Sequence, residues 1–209
     1  VETGDDSFWR YDQYGTETWQ YHNANLALGL NSVTYYWSLA DSYIFQFQKE
    51  MYLNLQRDFL YQNLDSRSFL DALTGVKYFV VAAGGEGYVP YGFTEHTVSQ
   101  WVGKDAETAR QEEAEGRDTS GLNAVKSNVY GTQNFLPLGY TYDSWISRED
   151  YESLSVTEKQ QALLQGIVLE DSELPKAAPV FDDQTQEYTV QYSDGIEQED
   201  GGLLVRKAG

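Results

Sequence analysis

The spacing of apolar and polar positions predicts a chain that mixes helices and strands, most clearly over 65–83, DSRSFLDALTGVKYFVVAA. Asp65 or Ser66 is placed to cap a helix start, because a short side-chain oxygen accepts from the first free backbone N–H groups. Phe69, Leu70 and Leu73 follow at helical spacing and predict one apolar face. Gly75 stands where the chain must leave the helix, since glycine takes the left-handed conformation at little steric cost. Residues 76–83 then read V-K-Y-F-V-V-A-A. This near-continuous run of β-branched and aromatic residues predicts a strand covered on both faces. Lys77 is its exception and needs a partner if it is buried.

Elsewhere the pattern is more broken. Residues 1–7 are polar and expected to be loose. Residues 8–14 alternate as a strand does, with Phe8, Arg10, Asp12 and Tyr14 on one face and Trp9, Tyr11 and Gln13 on the other. Arg10 and Asp12 are therefore expected to pair. Residues 14–31 mix Trp19, Tyr21, His22, Asn23 and Asn25 with Gly15 and Gly29, which suits a loop-built pocket better than a helix. Asn31-Ser32 offers a cap for a helix starting at about Val33 or Ser38 and running towards Met51, with Tyr36, Leu39, Tyr43, Phe47 and Met51 as its core stripe. Residues 54–63 read as further helix.

Gly84-Gly85-Glu86-Gly87 is a turn and lacks the lysine and hydroxyl of a phosphate loop. Pro90-Tyr91-Gly92-Phe93 marks a turn or sheet edge. Residues 104–120, dense in Glu, Ala, Arg and Gln, read as an exposed helix or mobile insertion. Residues 127–142 suggest two strands around a turn, with Pro137 at an edge or bend. Ser147, with Asp150 reaching back, caps a short helix to Leu154. Ser155-Val156-Thr157-Glu158 is a capping box that opens a helix to about Gln165, stopped by Gly166. A strand follows over 167–170. Residues 187–192 and 203–206 suggest two late strands. The expected fold class is α+β, a mixed β-sheet packed with helices over 1–170 with 104–120 as an exposed insertion. Residues 171–209 are expected to form a looser acidic C-terminal segment, the start of a further, truncated β region.

Charge and composition narrow the function. Of 209 residues, 14 are Lys or Arg and 33 are Asp or Glu, a formal net charge of −19. Such a chain repels nucleic acid and anionic membranes, which need basic side chains to displace counterions. With no cysteine and two histidines, His22 and His96, a zinc site would draw most of its ligands from carboxylates, so no metal site is expected. The 17 tyrosines offer apolar rings with polar tips, which suit half-wet surfaces and sugar-like ligands. No apolar run approaches the roughly 20 residues that span a bilayer. The chain opens on Val1 and reads as a piece of something longer.

The order of several short motifs resembles the extracytoplasmic part of the YfhO family of bacterial multi-pass membrane proteins. They are Phe8-Trp9-Arg10; residues 23–29; Tyr36-Trp37-Ser38 leading to Phe47; Leu73-Thr74-Gly75-Val76-Lys77-Tyr78; and Pro90-Tyr91-Gly92-Phe93. They continue with Asn134-Phe135-Leu136-Pro137-Leu138-Gly139-Tyr140 and Glu158-Lys159-Gln160-Gln161-Ala162-Leu163-Leu164. The resemblance runs over about 8–170, and 104–120 looks inserted relative to it. It implies a glycosyltransferase-like protein of the GT-C type at the extracellular face of a Gram-positive type cell membrane. Such a protein takes sugar from a polyprenyl-phosphate carrier to a cell-envelope polymer, with lipoteichoic acid as the best-supported acceptor. The membrane helices and the early loops expected to carry catalytic carboxylates are absent here. The piece is therefore not expected to be catalytic alone, nor to hold a cofactor. A divalent cation is compatible with the full-length protein. The partners implied are the rest of its own membrane domain, the carrier-linked sugar and the polymer.

Within that frame, aromatic faces and planar amides are what sugars need. Trp19, Tyr21, His22, Asn23, Asn25, Tyr36 and Trp37 are the candidate ligand-binding residues. Arg10 and Lys77 are candidates for a carrier or acceptor phosphate. Against this, both cations can simply pair with Asp12, Asp71 or another carboxylate, and that structural reading takes precedence. The alternative function is a non-catalytic surface module that docks a wall polymer or partner protein. A glycoside hydrolase is disfavoured because no pair of acids is singled out by spacing.

Overall fold

The computed structural model describes residues 3–15, 23–27, 29–36, 41–53, 60–61, 63–142, 144–173, 196–199 and 202–205. In chain order the elements are β1 (Arg10–Tyr14), α1 (Ala24–Ala27), β2 (Tyr35–Tyr36), α2 (Ser42–Glu50), β3 (Leu60–Tyr61), α3 (Ser68–Leu73), β4 (Val76–Ala82) and β5 (Thr94–Gly103). They continue with α4 (Ala106–Ala114), β6 (Ala124–Gly131), β7 (Trp145–Ser147), α5 (Arg148–Ser153), α6 (Val156–Gln165), β8 (Ile167–Leu169), β9 (Ile196–Glu199) and β10 (Gly202–Val205). The result is the α+β class with a mixed sheet. The chain divides into two compact units, Val1–Ala40 with Arg57–Gly139, and Asp41–Gln56 with Tyr140–Gly209.

The first unit is built on a sheet in the order β1-β4-β6-β5, with β1 parallel to β4 and the remaining pairs antiparallel. Central β4 is apolar on both faces, as its sequence requires. Tyr78 and Val80 join Tyr11 and Val129 in a core on one face, with Trp9, Leu30 and Val102 packed against it. On the other face, Phe79 meets Phe93 edge-on at 6.1 Å. Helix α3 packs on β4 and buries Leu70. Gly75 ends that helix at φ +74°, as expected.

The start of α3 differs from expectation. Asp65 and Ser66 both lie at φ +56° and do not cap the helix. Arg67 occupies the cap position without a side-chain bond, and Asp65 pairs with Arg67 at 3.0 Å. The inward residues are Leu70 and Asp71, whereas Phe69 is exposed. A six-residue helix makes fewer than two turns, so its buried side is set by where the strand lies rather than by its apolar count. Residues 104–120 do contain a helix, α4, docked between β5 and β6 through fully buried Ala109. Its Glu113 takes bonds from Lys126 at 2.6 Å and Trp101 at 2.8 Å.

In the second unit, α2 begins at Ser42, where the Asp41 carboxylate accepts from the Tyr43 and Ile44 amides. The expected start at Val33 is too early, since 35–36 form β2 against β3, and the alternative start at Ser38 lies outside the described residues. The expected stripe fails with it. Tyr36 is on a strand and Tyr43 is 80% exposed, while Gln48 and Met51 are buried. Leu39 lies outside the described residues. The predicted 54–63 helix is overturned at 60–61 by β3, and 54–59 lie outside the description. Residues 132–142 carry no second strand. Pro137 and Gly139 deny that stretch a ladder donor and stiffness.

The caps read from sequence at Ser147 and Ser155 are in place. Ser147 accepts from the Asp150 amide, and Ser155 and Glu158 form the reciprocal box. Strands β7 and β8 pair in parallel around α5 and α6. Strands β9 and β10 pair antiparallel, and the 187–192 strand predicted from sequence lies outside the described residues.

Candidate functional site

The amide-rich loop is the first candidate. It docks on β1 through backbone bonds, Tyr11 N–H to Asn31 O at 3.0 Å and Val33 N–H to Tyr11 O at 3.2 Å. Asn23 closes the loop by pairing with the backbone of Tyr36. Its Nδ2 donates to Tyr36 O at 3.0 Å, and its Oδ1 accepts from Tyr36 N–H at 2.9 Å. Asn25 is buried and donates to Thr34 O at 3.0 Å. Both amides are employed in holding backbone, which for buried Asn25 is what a buried polar group requires. The Tyr36 ring is half open to solvent. Trp19, Tyr21, His22 and Trp37 lie outside the described residues.

Arg10 donates to Thr74 O at 2.7 Å and lies 5.6 Å from the Phe8 ring. The expected Arg10–Asp12 pair is not made. Asp12 is turned into the protein, where it accepts from Gln13 N–H at 2.7 Å and Leu64 N–H at 2.8 Å. A register shift between β1 and β4 lies at this point. Arg10 lies opposite Val76 but Tyr11 lies opposite Tyr78, so Lys77 is an extra residue on β4. Such a bulge breaks strict alternation and re-aims a side chain.

Its consequence is a polar knot. Lys77 Nζ and the hydroxyl of the next residue, Tyr78, reach the same carboxylate oxygen of Asp5, at 2.5 and 3.0 Å. Neighbours on a regular strand point to opposite faces and could not do this. Asp5 also accepts from the amide of Ser7 at 2.9 Å and its hydroxyl at 2.6 Å, and its carbonyl accepts from Trp9 Nε1 at 3.0 Å. The Lys77 ammonium and the Ser7 donors hold the Asp5 carboxyl well below the usual range. The bond to Asp5 raises Lys77, and burial raises Tyr78. His96 contacts Thr3 O at 2.8 Å and lies 5.1 Å from the Tyr78 ring.

Residues 1–7, expected to be loose, are thus tied down from Thr3 onward. Lys77 has a carboxylate partner, as the structural reading required, but it is Asp5 rather than Asp12 or Asp71. Sequence reasoning missed Asp5 because nothing local distinguishes it from Asp6. It also missed a second feature, the burial of Asp12 and Asp71 together at 0% exposure.

Among the described residues, the site brings Asn23, Asn25 and Tyr36 into one loop and gives Arg10 and Lys77 separate partners. No three His, Asp or Glu side chains among them converge as a metal group needs. Asn23 and Asn25 are taken up by backbone bonds, which leaves the half-open Tyr36 ring as the contact surface of this loop among the described residues.

The sequence model of the family described as "Bacterial membrane protein YfhO" matches residues 1–206. The chain belongs to the YfhO family. It is similar to the uncharacterized protein YfhO of Bacillus subtilis (strain 168), 26% identical over 153 residues. That alignment takes in 72% of this chain and 15% of the relative, so the chain spans a small part of the YfhO protein it matches. No solved structure matches. No helix among the described residues of this YfhO segment is long and apolar enough to cross a membrane.

Proposed function

We propose that this chain is the outward-facing domain of a GT-C-type membrane glycosyltransferase that moves a sugar from a polyprenyl-phosphate carrier to an envelope polymer such as lipoteichoic acid. Membership of a bacterial membrane protein family over 1–206, in a chain that spans 15% of its relative, carries this reading. The geometry is in keeping with a supporting role. Lys77 and Arg10 are tied inside the domain, so phosphate capture is left to the remainder of the protein. The half-open Tyr36 ring is suited to stacking on the face of a neutral sugar.

The test uses the full-length protein in lipid nanodiscs with a polyprenyl-phosphate sugar and lipoteichoic acid. Sugar incorporation by the full-length protein, none by the 209-residue chain alone, and a several-fold loss in Tyr36→Ala support the proposal. Polymer binding without any transfer by the full-length protein would replace it with the docking-module reading.

A further inference from the structure

We propose that the turn at 84–88 folds back over the sheet of the first unit and presents the Tyr88 ring and the Glu86 carboxylate as a binding platform for a neutral oligosaccharide. The platform shares no residue with the amide-rich loop, and it asks nothing of sugar transfer.

Three strands set its base. Tyr14 of β1 pairs with Val81 of β4, and Val81 pairs with Asn128 of β6, so the three form one row across the sheet. Residues in one row put their side chains on the same face. The chain leaves β4 at Ala82, turns, and lays the next residues on that row. Gly85 comes down on Val81, where an added Cβ would lie 2.7 Å from a Val81 methyl and 3.9 Å from the Tyr14 ring. A side chain there would lift the turn off the sheet. Glu86 reaches one end of the row, where its Oε1 accepts from Asn128 Nδ2 at 3.0 Å and from Gly84 N–H at 3.0 Å. Tyr88 reaches the other end and stacks on Tyr14, with ring centroids 3.7 Å apart and planes 16° from parallel.

The stack occupies one face of Tyr88. The ring is nonetheless 47% exposed, so its other face is open to solvent. It is not spent on sealing the core, because Val81 already lies fully buried under the turn. An open tyrosine face offers apolar contact to the C–H face of a sugar ring, and a fixed carboxylate accepts from its hydroxyls. Both bonds to Glu86 fall on Oε1, which leaves Oε2 for the ligand. Adjacent strands lie about 4.8 Å apart, so the two ends of the row are about 10 Å apart. That separation suits two linked sugar rings, one on Tyr88 and the next beside Glu86. A carboxylate that accepts two N–H bonds stays ionised and repels phosphates and acidic sugars. The chain's net charge of −19 acts in the same direction. A small organic cation is disfavoured, since such ions are gripped by several rings and one open face is offered here.

The test is the binding of cellobiose and of N,N′-diacetylchitobiose to the 209-residue chain. It is read by saturation-transfer NMR and by the amide shift of Gly84, which is bonded to Glu86. The expected result is saturation transfer to the sugar C–H protons of at least one disaccharide, with a Gly84 shift that saturates. Tyr88→Ala and Glu86→Ala should each weaken binding several-fold, whereas Tyr88→Phe, which keeps the ring, should retain it. Tyr91→Ala removes a 95% exposed ring three residues further on and should leave binding unchanged. Circular dichroism melts show whether each variant is folded. No transfer to either disaccharide from the wild type overturns the proposal, as does an unchanged affinity in folded Tyr88→Ala. A Gly84 shift with tetramethylammonium chloride and none with the sugars also overturns it and assigns the ring to a cation. These readouts concern binding by the chain alone, so they stand or fall separately from sugar transfer by the full-length protein.

Discussion

Gly75→Ala tests whether the junction between α3 and β4 is set by backbone conformation alone or also by what passes over it. Gly75 sits at φ +74°, and a Cβ there would lie 3.0 Å from the carbonyl oxygen of Leu136 and 3.6 Å from an Arg10 guanidinium nitrogen. An alanine in the left-handed region costs about 1–2 kcal/mol. Reduced freedom of the unfolded chain returns about 0.4–1 kcal/mol of that. The contact with Leu136 is a further burden, because that residue is pinned by its own amide bond to Ala72 O at 2.9 Å and cannot withdraw freely. Overpacking of this kind adds about 1–3 kcal/mol.

Gly84 supplies the control, with φ +88° and nothing within 4 Å of an added Cβ. Gly84→Ala should therefore cost under about 1.5 kcal/mol, the backbone part only. Gly75→Ala should cost about 2–4 kcal/mol, lowering the melting temperature by roughly 5–12 °C in a chain of this size. Urea melts of the two variants followed by circular dichroism, side by side with wild type, measure the difference directly. Equal midpoints for the two variants would refute the argument that the 136 segment presses on this turn.

Two further outcomes follow from the candidate site. Asn25→Ala removes the donor to the buried Thr34 carbonyl and should cost about 1–3 kcal/mol, seen as a lowered urea midpoint, whereas the exposed Asn23→Ala should cost less. The Asp5 knot should weaken at acid pH. Its folded carboxyl is depressed, so the tie is complete above the ordinary aspartate range and is lost as pH falls through and below that range. The Trp9 indole N–H, bonded to Asp5 O, should report this as an NMR shift on acidification, and Lys77→Met should remove the transition.

Several elements were legible from residues alone because their causes are local. The buried β4, the left-handed stop at Gly75, the Ser147 cap and the Ser155–Glu158 box each depend on a handful of consecutive residues, and each stands where the pattern put it. The family was legible from the order of its motifs. The partner of Lys77 was not, since it lies 72 residues away and is selected by a bulge that no alternation rule foresees. The inward side of α3 was misread for a related reason. A short helix has no strong periodic signal, and only the position of β4 shows that Asp71 rather than Phe69 faces inward. Local stereochemistry determined where the chain turns and starts its helices, whereas which charges meet depended on long-range packing, because electrostatic partners are chosen by distance in space and burial rather than by separation along the chain.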